Sequence, residues 1–281
     1  MLDTHHHLWS YSREEYDWIP EGSPLAQDQL LPELKSATFE AQVTGTIAVQ
    51  ARQIIEESDD LLKLADAGDL IRGIVGWVPL IDDRVGTELE RLAPHSKFVG
   101  VRHVLQDEAD DYFLRDDFHR GLALLPNHNL RYDLLLFQRQ LPVGIQLVDK
   151  QPELGFIVDH IAKPEARSGQ VEKAWRRGMK ELAKRDNVLG VKFSGLVTEF
   201  NQDDIIDPDT IRSYFEETLE IFGSDRVMFG TDWPVCLLKI NEYREWSETV
   251  RNLASSLSSD EQLKILLRNG EKAYQLPNQI N

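Results

Sequence analysis

One cysteine, Cys236, in a chain of 281 residues excludes an intramolecular disulfide and any thiolate cage for zinc or an iron–sulfur cluster. A metal site here has only histidine and carboxylate to draw on. Long apolar runs are missing as well: stretches such as 134–137 are a few residues long, against the roughly 20 needed to cross a bilayer, so no membrane span is expected. Basic residues are scarce, 31 Lys and Arg against 48 Asp and Glu, for a net charge of -17. Such a field repels phosphate backbones and anionic headgroups, which argues against nucleic acid and membrane surfaces as partners. The opening residues Met1-Leu2-Asp3-Thr4-His5 lack a basic start and an apolar segment of signal-peptide length. The cytoplasm is therefore the expected compartment. No linker rich in Pro, Gly or Ser interrupts the chain, and no repeat of solenoid or propeller period is present, so residues 1–281 read as a single domain.

What the chain has is an alternation. Hydrophobic residues make up 41%, enough for a core, and they fall into short β-branched runs separated by amphipathic segments of helical spacing. Strands are predicted at 1–7, 45–50, 70–78, 98–104, 130–136, 155–160, 187–194 and 226–232. Helices are predicted near 32–42, 54–67, 84–93, 115–125, 170–185 and 208–222, with more after Lys239, while 137–153 gives no clear pattern. Asp207 before Pro208 and the pair Ser259 and Gln262 are the expected helix caps. The α/β alternation in about 280 residues fits a single (β/α)₈ TIM barrel. An open doubly wound sheet would alternate in the same way, but no Gly-x-Gly-x-x-Gly follows the first strand, so its dinucleotide-binding form is excluded.

Catalytic groups of parallel α/β folds gather at the carboxyl ends of strands. Those ends carry His5-His6-His7, Arg102-His103, Asp133, Asp159-His160, Lys192 with Ser194, and Asp232-Trp233. Side chains two apart on a strand share a face, so His5 and His7 point one way and His6 the other. Two imidazoles can then meet one ion or one substrate oxygen, unless the run is a tag remnant or a surface feature. Asp232 ends an apolar run, where a carboxylate is costly without a partner; the bland alternative is a helix cap near Pro234. His160 ends another such run, and its alternative is a satisfied core histidine. Arg102 and His103 alternate in direction, so one of them faces inward, and the pattern does not choose. Trp9, Trp77 and Trp233 either line a pocket or belong to the core, and Cys236 reads as a small buried hydrophobe.

Seven segments carry a resemblance: Asp3-Thr4-His5-His6-His7-Leu8-Trp9, Val49-Gln50-Ala51, Gly76-Trp77-Val78, Gly100-Val101-Arg102-His103, Asp159-His160-Ile161-Ala162-Lys163-Pro164, Lys192-Phe193-Ser194-Gly195-Leu196 and Met228-Phe229-Gly230-Thr231-Asp232-Trp233-Pro234. In order and spacing the chain resembles the sugar-lactonase branch of the amidohydrolase superfamily, the L-fucono- and L-rhamnono-lactonases, with the pyrone dicarboxylate lactonases as more distant kin. The resemblance implies a barrel that opens a small neutral sugar lactone to the aldonate. By position it makes Asp232 the group that activates water, with His5, His7 and His160 stabilising the oxyanion. They would do so directly or through one divalent ion such as zinc, held by His5, His7, His160 and Asp232. Dinuclear members carry a lysine or glutamate on strand four and a histidine on strand five, and this chain has Arg102-His103 and Asp133 there, so one ion or none is expected. Arg102, His103, Trp9, Trp77 and Lys163 are the expected substrate contacts. Two further readings remain: a metal-dependent decarboxylase of a small unsaturated or aromatic acid, gripped by Arg102 and Arg52, and a catalytically silent binding barrel.

Overall fold

The structure, a computed structural model, describes residues 1–166, 170–201 and 204–277. Eight parallel strands hydrogen-bond in sequence order: β1 (Leu2–His6), β2 (Gly45–Val49), β3 (Ile71–Gly76), β4 (Phe98–His103), β5 (Arg131–Leu134), β6 (Phe156–Val158), β7 (Val188–Phe193) and β8 (Val227–Phe229). Every strand lies inside its predicted interval. These strands are buried on both faces, as strands flanked by helices must be, and their apolar composition follows from that. The predicted helices appear as Leu31–Glu40, Ile55–Asp66, Val85–Leu92, Asp116–Leu122, Lys173–Leu182 and Pro208–Phe222. The unclear stretch holds a short turn at Gln138–Gln140 and a helix at Leu141–Asp149 whose first turn accommodates Pro142.

The cap at Asp207 forms, its carboxylate accepting from Asp209 N and Thr210 N at 3.2 Å each. The last predicted cap is one residue off: Ser258 and Glu261 make the reciprocal box, not Ser259 and Gln262. Both pairs have the right spacing, but the Glu261 carboxylate is the stronger acceptor and complements the positive end of the helix.

Two neighbouring layers fill the barrel. Inward residues Ile47, Val49, Val75, Ile157 and Met228 form an apolar plug with Tyr274 and Leu276 from the carboxyl-terminal segment. Beside it, Arg102, Asp133, Asp159, Lys192 and His5 make a buried polar layer, and Tyr274 Oη joins the two by donating to Asp133 at 2.8 Å. The seam between β1 and β8 closes through Thr4 Oγ1 donating to Phe229 O at 2.6 Å, Asp232 N to His5 O at 2.8 Å and His7 N to Trp233 O at 2.7 Å. Closure thus runs through the very residues singled out in the sequence.

Candidate active site

His5 and His7 share a face as alternation requires, their Nε2 atoms 3.3 Å apart. His6 points away and its Nε2 meets Thr46 Oγ1 at 3.0 Å. The Val49 carbonyl, 2.8 Å from His7 Nδ1, can only accept, so Nδ1 holds the proton and Nε2 presents a lone pair. His160 arrives from the end of β6, its ring centroid 4.3 Å from that of His5 and its Nδ1 2.9 Å from Ser194 Oγ. Asp232 Oδ1 lies 3.4 Å from His7 Nε2 and 3.8 Å from the Nε2 atoms of both His5 and His160. Asp232 and the run His160 to Lys163 all have positive φ, between 40° and 59°. For residues with a Cβ this backbone is strained, and such strain clusters at functional sites.

Burial disfavours the charged form of His5 and His160. It holds His5 well below its usual 6.5 and takes His160 down to about 4. Burial also disfavours the Asp232 carboxylate, but His160, His7 and Lys163 outweigh it and hold the carboxyl below its ordinary value. Behind these groups, Asp159 receives Lys192 Nζ at 2.9 Å, Arg102 Nη1 at 3.1 Å and His5 Nδ1 at 3.3 Å. Lys192 reaches Asp133 at 2.5 Å as well. Two cations thus face two carboxylates, which is how buried charge is tolerated.

The imidazoles of His5 and His7 and the Asp232 carboxylate, without a proton donor between His7 Nε2 and Asp232, make a donor set suited to a cation. A tetrahedral zinc with bonds of about 2.0–2.1 Å separates its ligand atoms by about 3.3–3.4 Å. The His5–His7 and His7–Asp232 separations of 3.3 and 3.4 Å match that edge, and the His5–Asp232 separation of 3.8 Å is a few tenths of an ångström longer. The backbone acceptor on His7 Nδ1 and the carboxylate on His5 Nδ1 are the outer partners that orient metal-bound histidines. His5, His7 and Asp232 lie close enough together to hold one divalent ion, and His160 stands beside them, 3.8 Å from Asp232. Asp159 also lies near His5 and His160, but its oxygens are already engaged by Lys192 and Arg102.

The cluster floors a cavity of about 800 Å³ to which His7, His160, Asp232, Arg102 and Lys163 contribute. Lys163 Nζ pairs with Glu199 at 2.6 Å. Arg102, not His103, is the inward residue of β4. His103 and Trp77, both expected as substrate contacts, are not among the residues that line the cavity. His103 stacks on Tyr112 at 4.9 Å, pairs with Glu108 at 2.9 Å and accepts from Trp77 Nε1 at 3.4 Å. Trp9 is buried behind His7, 6.4 Å from it, and donates to Gln27 O. The sequence reading assigned no contact to Trp18, Gln53, Gln106 or Asp107, all of which line the cavity from the loops after β1, β2 and β4. It flagged Asp159 and Lys192 as strand-end residues without a role.

Among known proteins, the chain is 36% identical to an L-fucono-1,5-lactonase of Burkholderia multivorans, over 98% of this chain and 96% of that one. It is 22% identical to an L-rhamnono-gamma-lactonase of Scheffersomyces stipitis over 98% of each. The crystal structure of a Burkholderia multivorans amidohydrolase with bound zinc superposes with a TM-score of 0.92 at 35% identity, covering 98% of this chain and 99% of that one. The histidine pair on β1, His160 and Asp232 all fall within residues 2–276, the span matched by a model of amidohydrolases, and the chain belongs to that family.

Proposed function

We propose that this chain hydrolyses a sugar lactone to the aldonate, with L-fucono-1,5-lactone as the first substrate to try. The observation that carries the reading is the convergence of His5, His7 and His160 nitrogens on Asp232 Oδ1, within 3.8 Å, at the floor of an open cavity. The full-length similarity to an L-fucono-1,5-lactonase supports it.

Asp232 accepts a proton from a water as the water oxygen bonds to the ring carbonyl carbon. The His7 Nε2 lone pair faces Asp232 and cannot donate to the carbonyl oxygen, so the charge that oxygen gains is met by Arg102 and Lys163, the cationic donors that line the cavity beside the histidines. His5, His7 and Asp232 would hold a divalent ion, which would supply Lewis-acid polarisation of the carbonyl. When the carbon to ring-oxygen bond breaks, Asp232 returns the proton to the leaving oxygen, giving a hydroxyl and a carboxylic acid that ionises. Arg102 and Lys163 supply positive charge beside the carboxylate that forms, which favours the transition state over the neutral lactone.

The decarboxylase reading has less support. Its arginines are committed, Arg102 to Asp159 and Gln50, and Arg52 to Glu15 at 2.7 Å. Asp232→Asn tests the proposal: turnover of L-fucono-1,5-lactone in a pH-indicator assay should fall by about 10²- to 10⁴-fold with the fold intact by circular dichroism. Near-full turnover in that variant overturns the assignment.

A further inference from the structure

We infer that Trp18 is a stacking platform for the sugar ring and that Gln106 accepts one of its hydroxyls, so that these two loop residues set which lactone is taken. The inference rests on the lactonase reading above.

The loop after β1 has a small core of its own, made by Trp9, Tyr16, Ile19 and Leu25, each no more than 3% exposed. Trp18 lies within this packed segment yet stays 47% exposed. Its ring stands edge-on to Trp9 at 5.8 Å and 88° and forms part of the cavity wall. The segment is braced from β2 by Arg52, which sits over the Tyr16 ring at 5.1 Å and pairs with Glu15. A large aromatic at a cavity rim that stays half exposed while its neighbours are buried keeps part of its surface free. Its free face suits the apolar C–H face of a pyranose-like ring, and an indole presents a wide flat surface at small conformational cost.

Gln106 comes from the turn Leu105–Asp107 after β4, three strands round the barrel from β1. It lines the same cavity, and its Oε1 is buried with no hydrogen-bond partner. An unpartnered buried acceptor is costly, and a ligand hydroxyl removes that cost. The carboxylates of Glu15, Asp17 and Asp107 also line the cavity, Glu15 paired with Arg52, while the cations Arg102 and Lys163 line it with His7 and His160. The cavity thus offers cations beside the histidines for the carbonyl group, and an indole face and amide and carboxylate acceptors from the loops for hydroxyls. A neutral polyhydroxylated lactone matches both.

The test compares L-fucono-1,5-lactone with δ-valerolactone, a six-membered lactone without hydroxyls, in the wild type, Trp18→Leu, Trp18→Phe and Gln106→Leu. Trp18→Leu should raise KM for the sugar lactone about tenfold with kcat changed less than about twofold, and Trp18→Phe should restore most of the loss. Gln106→Leu should cut kcat/KM for the sugar lactone at least about tenfold and leave δ-valerolactone unaffected or improved. Parallel losses on both lactones, or no change on either, overturn the inference and leave the lactonase reading standing. A wild type that opens neither lactone sinks the lactonase reading itself.

Discussion

Asp232 N–H donates to the His5 carbonyl at 2.8 Å, so a bond that closes the barrel also fixes the β1 histidines against the β8 carboxylate. Asp3 clasps the same seam. Its buried carboxylate accepts from His5 N at 3.1 Å, Thr231 N at 2.9 Å, Thr231 Oγ1 at 2.6 Å and Tyr243 Oη at 2.8 Å. Asp3→Ala strands those donors in the interior, and the expected loss is on the order of 3–5 kcal/mol by urea unfolding, since each orphaned group costs about 1–3 kcal/mol. Because the seam carries the site, turnover at a temperature where the variant stays folded should fall too.

The polar layer is a balanced set of charges, and its balance is testable. Lys192→Met leaves Asp133 and Asp159 with too little positive charge in a place water does not reach, with an expected cost of about 3–5 kcal/mol. Adding Asp133→Asn removes one of the stranded charges. The double variant should therefore recover part of the lost stability, a non-additivity read directly in a double-mutant cycle.

Much of this architecture was legible because it depends on local pattern. Period-two spacing on β1 was enough to put His5 and His7 on one face and His6 on the other, and continuous apolar runs marked the strands. The same continuity hid the phase of β4: a strand covered on both faces shows no polar side, so nothing local told Arg102 from His103. The helix Leu141–Asp149 escaped because Pro142 and Gly144 read as breakers; Gly144 is there because a Cβ would meet Leu136 Cδ2 at 2.6 Å, a contact between segments that only the fold creates. Trp18 and Gln106 stand in connections between strands and helices, where spacing carries no directional information, and only the assembled barrel brings them to the cavity.

Alternation also sets apart neighbouring histidines in metal binding. His7 Nε2 faces Asp232, while His6 faces Thr46. Elemental analysis after dialysis should find about one zinc per chain in the wild type and in His6→Gln, and well below that in His7→Ala. Equal zinc in His6→Gln and His7→Ala would contradict the assignment of ligands.

Glu57 gives the pH dependence of stability a definite sign. Burial is the main cause that raises its carboxyl from 4.5 to about 7, against the backbone N–H groups of Arg52 and Ala51 and the charges of Arg52 and Arg102, which pull it down. Between these values the folded chain keeps a proton that the unfolded chain has released, so folding binds protons there. The stability from this group is fully present below pH 4.5 and is lost as pH rises through 7. At about 1.4 kcal/mol per unit the loss amounts to about 3 kcal/mol. Glu57→Gln removes the titration, so by urea unfolding the variant should gain on the wild type steadily from pH 5 to pH 8, by up to about 3 kcal/mol. A difference that stays flat across that range would mean that Glu57 ionises in the folded protein as it does in the unfolded chain.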